Sequence, residues 1–327
     1  MRMLNGTDVM QLLDAPSCIR AVEEAFRARG LGRPAPSGTV GLPLPRGSLH
    51  AKLARLDLAR PYAAVKINAN IPQNPVERKL PTIQGVLVLF DAEIGAPLAI
   101  MDSAAITTLR TAAASAVAAK HLSLPDACAA TFIGVGVQAR AHLDALRAVR
   151  RIRVIFAVDA NREAAEHFRD DARAAHNFDC TLPTSLREAT RESQIIVTTT
   201  PSERALLFRD DVAPGTFVAA VGADNEHKQE LDPGLLAAAA VVVDDLLQCV
   251  HGGDLHHALA ALVMQPSDVR GSLDQVVAGT CRGRLSDDEI IVFDSTGVAI
   301  EDVAAAALVF ERAIAGGAGV DITLDGR

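Results

Sequence analysis

Apolar residues recur at helical spacing through Thr7–Ala28: Val9, Leu12 and Leu13, then Ile19, Val22 and Phe26. That period predicts one amphipathic helix. A stretch rich in Gly and Pro follows, from Gly30 to Gly47. Four short strand-like runs come next, Ser48–Ala54, Tyr62–Asn68, Val86–Phe90 and Pro97–Met101. Turn residues separate them, so they predict a small antiparallel or mixed sheet. Thr107–Leu122 then reads as an Ala-rich helix with few breakers.

Beyond Ala127 the rhythm changes. Apolar runs at Ala129–Ile133, Val154–Val158, Ile195–Thr199, Phe217–Val221, Ala240–Val243 and Ile290–Phe293 alternate with helical patterns. Such alternation predicts a parallel sheet covered on both faces. A long apolar helix over Ile300–Ala315 closes the pattern, either returning to the first domain or forming an interface. At 327 residues the chain has room for two domains.

The first parallel strand ends in FIGVGVQA, residues 132–139. Gly134, Gly136 and Ala139 form a G-x-G-x-x-A pattern, with Gln138 inside it. The first Gly permits the turn, the second lets backbone approach a pyrophosphate, and the small third residue lets the helix pack on its strand. Amide groups at the helix N-terminus then stabilise the anion. The second strand ends at Asp159, about 20 residues on, where a carboxylate accepts hydrogen bonds from a ribose. That acid favours NAD over NADP, although Asn161 and Arg162 leave room for a phosphate. The alternative is that Asp159 merely caps the next helix. The order of strand, loop, helix, strand and acid supports a Rossmann-type, doubly wound α/β domain that binds a dinucleotide.

A nicotinamide enzyme needs a substrate anchor and a proton donor. Lys66 sits inside the apolar strand YAAVKINAN, where a buried ammonium without a role is costly; alternatively it alternates outward to solvent. Arg110 opens a helix of small residues, where a guanidinium can grip a carboxylate bidentately or lie on the surface. In FVAAVGADNEHKQEL, Asp224 follows a buried strand at its carboxyl end, where open α/β sheets bind ligands. It is placed to exchange a proton, or to serve as a turn or cap. Thr198, Thr199 and Ser295 also follow strands and are candidates for the nicotinamide side, or belong to ordinary strand-to-helix turns. His251, Asp254, His256 and His257 lack H-E-x-x-H spacing and a completing cluster, so no metal is expected.

Composition then removes classes of partner. The net charge of −8, with no basic stripe, argues against nucleic acid. One Tyr and no Trp argue against base-stacking surfaces. The longest uncharged run, Ala127–Ala139, is too short to span a membrane, and the N-terminus lacks a secretory h-region. Five Cys without a C-x-x-C pair suggest reduced thiols and a cytoplasmic protein.

The stretches VKINANIPQN, AIMDSAAITTLRTAAASAVAA, FIGVGVQA, AVGADNEHKQELD and VFDSTGVAIEDVAAA, in that order, resemble the ornithine cyclodeaminase/mu-crystallin family along nearly the whole chain. The resemblance implies a homodimer. It implies a smaller α+β substrate and dimerisation domain, residues 1–121 with 302–327, and an NAD(P)-binding Rossmann domain, residues 122–301. It implies that Lys66 and Arg110 hold the substrate carboxylate region, that Asp224 is the acid/base, and that Gly134, Gly136, Gln138 and Ala139 cradle the pyrophosphate. Family members often carry an Arg where this chain reads Pro36 and Ser37; Lys52 is a candidate replacement. Ornithine cyclodeaminases carry a Glu near the position of His50, and a His suits a distal ammonium poorly. The resemblance is nearer the alanine dehydrogenase and imino-acid reductase branch. The expected reaction is reduction of a small α-imino acid, cyclic or open-chain, to the L-amino acid. Ornithine cyclodeamination and non-enzymatic ligand binding are the alternatives.

Overall fold

The computed structural model describes residues 1–176 and 178–323. The chain divides into two compact units, Met1–Thr111 with the segment from Val298 onward, and Ala112–Gly297.

The first unit opens with β1 (Arg2–Leu4), α1 (Gly6–Leu12) and α2 (Ala15–Gly30). One helix was expected over Thr7–Ala28; there are two. Asp14 is extended (φ −77°, ψ 155°), and its side chain accepts from the Ser17 amide at 2.9 Å. With Pro16 in the first turn, this N-cap starts a new helix. Then come β2 (Ser37–Leu44), β3 (Gly47–Asp57), β4 (Pro61–Asn70), α3 (Asn74–Arg78), β5 (Ile83–Asp91), β6 (Pro97–Asp102) and α4 (Ser103–Leu122). The Gly/Pro-rich stretch hid β2. It tolerates Pro43 because it is an edge strand.

The second unit carries β7 (Ala129–Ile133), α5 (Val137–Val149), β8 (Val154–Val158), α6 (Arg162–His176) and β9 (Asp179–Thr181). It continues with α7 (Leu186–Arg191), β10 (Ile195–Thr198), β11 (Glu203–Leu207), β12 (Phe217–Ala220) and β13 (Gln229–Leu231). Next are α8 (Pro233–Ala238), β14 (Ala240–Val243), α9 (Leu246–His251), α10 (Asp254–Ala260), β15 (Gly271–Ser272), α11 (Leu273–Ala278) and β16 (Ile291–Asp294). Eight strands form one sheet in the order β15-β14-β16-β12-β10-β7-β8-β9. Every pairing in it is parallel. Strands β7, β10, β12 and β16 are buried at every position, as cover on both faces requires. The doubly wound expectation holds. The small β11–β13 sheet was not foreseen.

The chain then returns through α12 (Ala299–Gly316) and β17 (Val320–Asp321) to complete the first unit. Its sheet runs β17-β1-β6-β5-β4-β3-β2, antiparallel except for the β1–β6 pair. Helix α12 packs against α2 and across β3 and β4. The first division between units falls within α4, ten residues before the expected one, because this helix runs unbroken through it. The second lies just before α12 and not three residues into it. Among the described residues no helix is long and apolar enough to cross a membrane.

Arg312 of α12 bonds the Leu12 carbonyl at 2.6 Å, Asp14 at 2.9 Å and Ser17 Oγ at 2.6 Å. Asp14 therefore both caps α2 and fastens α12. Burial nudges its carboxyl up, but the Ser17 amide and the Arg312 guanidinium outweigh that and hold it at about 2. Asp14→Ala is expected to lower stability by about 0.5–2 kcal/mol at neutral pH, the usual worth of an N-cap. The folded pKa lies below the unfolded one, so this stability is present above the unfolded value of 3.8 and disappears as pH falls towards about 2. Denaturant titrations of both proteins across that range check the size and the sign.

Candidate active site

In the second unit, the loop after β7 lies where the strand order reverses, between β7 and β10. Open α/β sheets bind ligands at such a point. Gly134 has φ +83°, and a Cβ there would stand 2.7 Å from Thr200 Cγ2, so the turn requires Gly. Its carbonyl accepts from Thr199 Oγ1 at 2.8 Å. Gly136 is the N-cap of α5 and offers no side-chain cap. A Cβ at Gly136 would meet nothing within 4 Å, leaving open space over the first amides of the helix. Gln138 Oε1 is buried with no hydrogen-bond partner among the described residues. Ala139 is fully buried under the helix, where a larger side chain would push it off its strand. These features fit a dinucleotide pyrophosphate.

Asp159 accepts from the Val135 amide at 2.9 Å through Oδ2 and from the Asn161 amide at 2.8 Å through Oδ1. It therefore braces the glycine loop itself. Thr198 and Ser295, expected beside the nicotinamide, are turned inward. The Thr198 hydroxyl donates to Glu230 at 2.6 Å, and that of Ser295 to Asp244 at 3.2 Å. Both are buried and tie strand ends together. Asp224 is exposed and is no helix cap; the Lys228 ammonium lies 2.7 Å from its Oδ1. Sequence reasoning assigned Lys228 no role. Their spacing of four was the available signal. His256 and His257 each bond a backbone carbonyl, and Asp254 accepts from the Glu230 and Leu231 amides.

In the first unit, Lys52 and Lys66 are directly opposite on β3 and β4, and His50 faces Asn68 one step along. Opposite residues in antiparallel strands share a face. Lys66 is 4% exposed and Arg110 5%. The outward-facing alternatives for both are thus excluded. Lys66 Nζ donates to Asp302 Oδ1 at 2.9 Å and to Thr107 Oγ1 at 3.1 Å. Arg110 NH1 donates to Glu301 Oε2 at 2.7 Å, and its Nε lies 3.0 Å from Asp302 Oδ1. Asp302 Oδ2 is buried with no hydrogen-bond partner among the described residues. His50 Nε2 lies 2.7 Å from Ser48 Oγ.

Glu301 and Asp302 escaped sequence reasoning. Their signal was two adjacent acids in an otherwise apolar helix start, AIEDVAAAALVF. Against the expectation that Lys66 and Arg110 hold the substrate carboxylate alone, the two buried cations already face two carboxylates. Burial, and then the Arg110 charge, bring the Lys66 ammonium down to about 7, against the pull of Asp302. Burial pushes the Asp302 carboxyl up, but Lys66 and Arg110 outweigh it and hold it below its usual value. A lysine poised near neutrality can hold an anion or exchange a proton.

The model of the ornithine cyclodeaminase/mu-crystallin family matches residues 1–317. This chain belongs to that family. An alanine dehydrogenase of Archaeoglobus fulgidus is 39% identical over 322 residues, covering 98% of this chain and 97% of that protein. An archaeal alanine dehydrogenase dimer with bound NAD superposes with a TM-score of 0.94 at 38% identity over 99% of both chains. The Δ1-pyrroline-2-carboxylate reductase of Thermococcus litoralis, in complex with NADH and L-proline, gives 0.93 at 30% identity, covering 98% of this chain and 100% of that one.

Removing one partner of a buried ion pair leaves its mate uncompensated, which costs about 3–5 kcal/mol. Asp302→Asn in this family member is expected to lose stability up to that size. It is also expected to move the Lys66 titration further below about 7, because the anion that favours the ammonium is gone. Thermal unfolding and the pH dependence of lysine-selective labelling check the two effects.

Proposed function

We propose that this chain is an NAD(P)H-dependent reductase of small α-imino acids, cyclic or open-chain, yielding the L-amino acid. The observation that carries the reading is the occurrence, in one chain, of a dinucleotide loop and a buried Lys66–Arg110 pair held by Asp302 and Glu301. Two cations set so deeply in an apolar unit are hard to explain by stability alone. The likeness to an alanine dehydrogenase and to a reductase that binds NADH and L-proline supports the same chemistry.

The Gly134–Ala139 loop holds the pyrophosphate, and Asp159 accepts from the ribose, which favours NAD over NADP. Thr199 backs the loop. Bound NADH supplies the hydride for the imine carbon. Lys66, Arg110 and Lys52 orient the substrate carboxylate, with His50 lining the same sheet face. Asp224 protonates the imine nitrogen or orients it in its protonated form, so C=N gains one hydride and one proton. The first unit serves substrate and dimerisation, and the second serves the nucleotide.

The other face of the first unit's sheet supports a homodimer. Val40, Ala51, Ile67 and Val86 form one cross-strand row there, and Leu42 and Leu53 flank it. Val40, Leu42, Leu53, Ile67 and Val86 are exposed. A contiguous apolar patch of this kind marks an interface, and the archaeal alanine dehydrogenase it resembles is a dimer. Five free cysteines suit a reducing cytoplasm.

Loss of absorbance at 340 nm with NADH and Δ1-pyrroline-2-carboxylate, or with pyruvate and ammonium, tests the reaction. Stoichiometric NADH oxidation is expected. Ammonia released from ornithine without net change in NADH would instead mark a cyclodeaminase. Asp224→Asn is expected to lower kcat by about 10²–10⁴-fold, the worth of a positioned acid, with nucleotide affinity preserved. Lys66 carries its proton below about pH 7, so KM for the carboxylate substrate is expected to rise as pH climbs through that value. The double change Val40→Glu and Leu42→Glu is expected to give monomers by sedimentation.

A further inference from the structure

Glu230 lies in β13, and nothing in the sequence pattern marks it. It is wholly buried. Its carboxylate accepts four hydrogen bonds. Oε1 takes the Thr200 amide at 2.6 Å and the Thr200 hydroxyl at 2.7 Å. Oε2 takes the Thr198 hydroxyl at 2.6 Å and the Gly222 amide at 2.7 Å. Each oxygen therefore holds one hydroxyl, which can rotate, and one backbone N–H, which cannot. The backbone of Glu230 is fixed in turn, because Asp254 Oδ1 accepts from the Glu230 and Leu231 amides at 2.8 Å each.

The groups that Glu230 grips belong to two turns with different tasks. Thr198 and Thr200 flank Thr199, whose hydroxyl holds the Gly134 carbonyl, and the Thr200 methyl stands where a Gly134 side chain would go. Gly222 lies two residues before Asp224. A Cβ at Gly222 would come within 2.5 Å of Glu230 Cδ and 2.3 Å of the Thr200 carbonyl oxygen, so the close approach depends on glycine. One buried carboxylate thus clamps the turn behind the phosphate loop to the turn that carries the acid.

We propose that Glu230 is a positioning residue: it sets the spacing between Asp224 and the nucleotide loop. The inference rests on the proposed function for the task of Asp224, while the clamp itself does not. Reacting groups must be held within a fraction of an ångström, so a loosened clamp slows turnover without weakening ground-state binding. A glutamine would set its NH2 group against one of the two backbone N–H donors.

The test compares the full-length wild type with Glu230→Gln in steady-state kinetics, NADH titration and amide hydrogen exchange. The expected result is a fall in kcat of about tenfold or more, with KM for the imine and Kd for NADH within about threefold. Amides of Thr200 and Gly222–Asp224 are expected to exchange about tenfold faster, with those of β7 and β8 unchanged. A kcat within about twofold of wild type, or parallel loss of kcat and NADH affinity, overturns the proposal. So does faster exchange throughout the unit. If Glu230→Gln does not fold, Thr198→Val/Thr200→Val replaces it, keeping the carboxylate and both backbone donors. Its kcat is then expected to fall about threefold or more at unchanged NADH affinity, and an unchanged kcat overturns the proposal. If the wild type reduces no imine, the proposed function fails by itself. The exchange pattern then decides the clamp: confined to the two turns it stands, and otherwise it falls.

Discussion

The buried charge cluster of Lys66, Arg110, Glu301 and Asp302 is the constraint on which the first unit depends. It joins β4, α4 and α12, segments separated by as many as 236 residues. Each ion would be costly alone in that apolar setting; together they are tolerable because every charge meets its opposite. The last helix of the chain must therefore lie over β3 and β4, and the Arg312 contacts at its other end hold it against α2. In the proposed function the same cluster also meets the substrate. A lysine brought down to about 7 by burial and a neighbouring guanidinium is a group that can respond to a ligand.

The second unit solves a related problem with carboxylates that accept backbone amides. Asp159 holds the glycine loop after β7, Glu230 two strand ends, and Asp254 the backbone of Glu230. Asp294 accepts from the Asp254 and Leu255 amides, and Asp244 from the Gly297 amide. Burial pushes the Asp294 carboxyl up to about 7, with the Asp244 charge adding to the rise. These acids gather at the carboxyl ends of parallel strands, where loops leave amides that no sheet partner satisfies. The local cost of their burial is offset by loops of fixed shape.

Much of the architecture was legible because it follows from short-range periodicity. The alternation of apolar runs and helical patterns announced the parallel sheet, and the glycines at 134 and 136 announced the tight turn into α5. What misled was local in origin too. Pro43 and the glycines of β2 read as a loop, and the cap at Asp14 was lost inside a continuous apolar period. Thr198 and Ser295 were assigned by their place after strands, but side-chain direction there depends on the buried acids they meet.

The two-part α/β plan, the glycine turn at Gly134, and the place of Lys66 and Arg110 within apolar stretches could all be read along the chain, because each is written within a window of a few residues. That these cations face Asp302 and Glu301, that Lys52 stands opposite Lys66, and that Glu230 binds two turns at once emerges only when the chain is folded. Those relations join residues far apart in the chain. Charge pairing acts through space, and no local period records it.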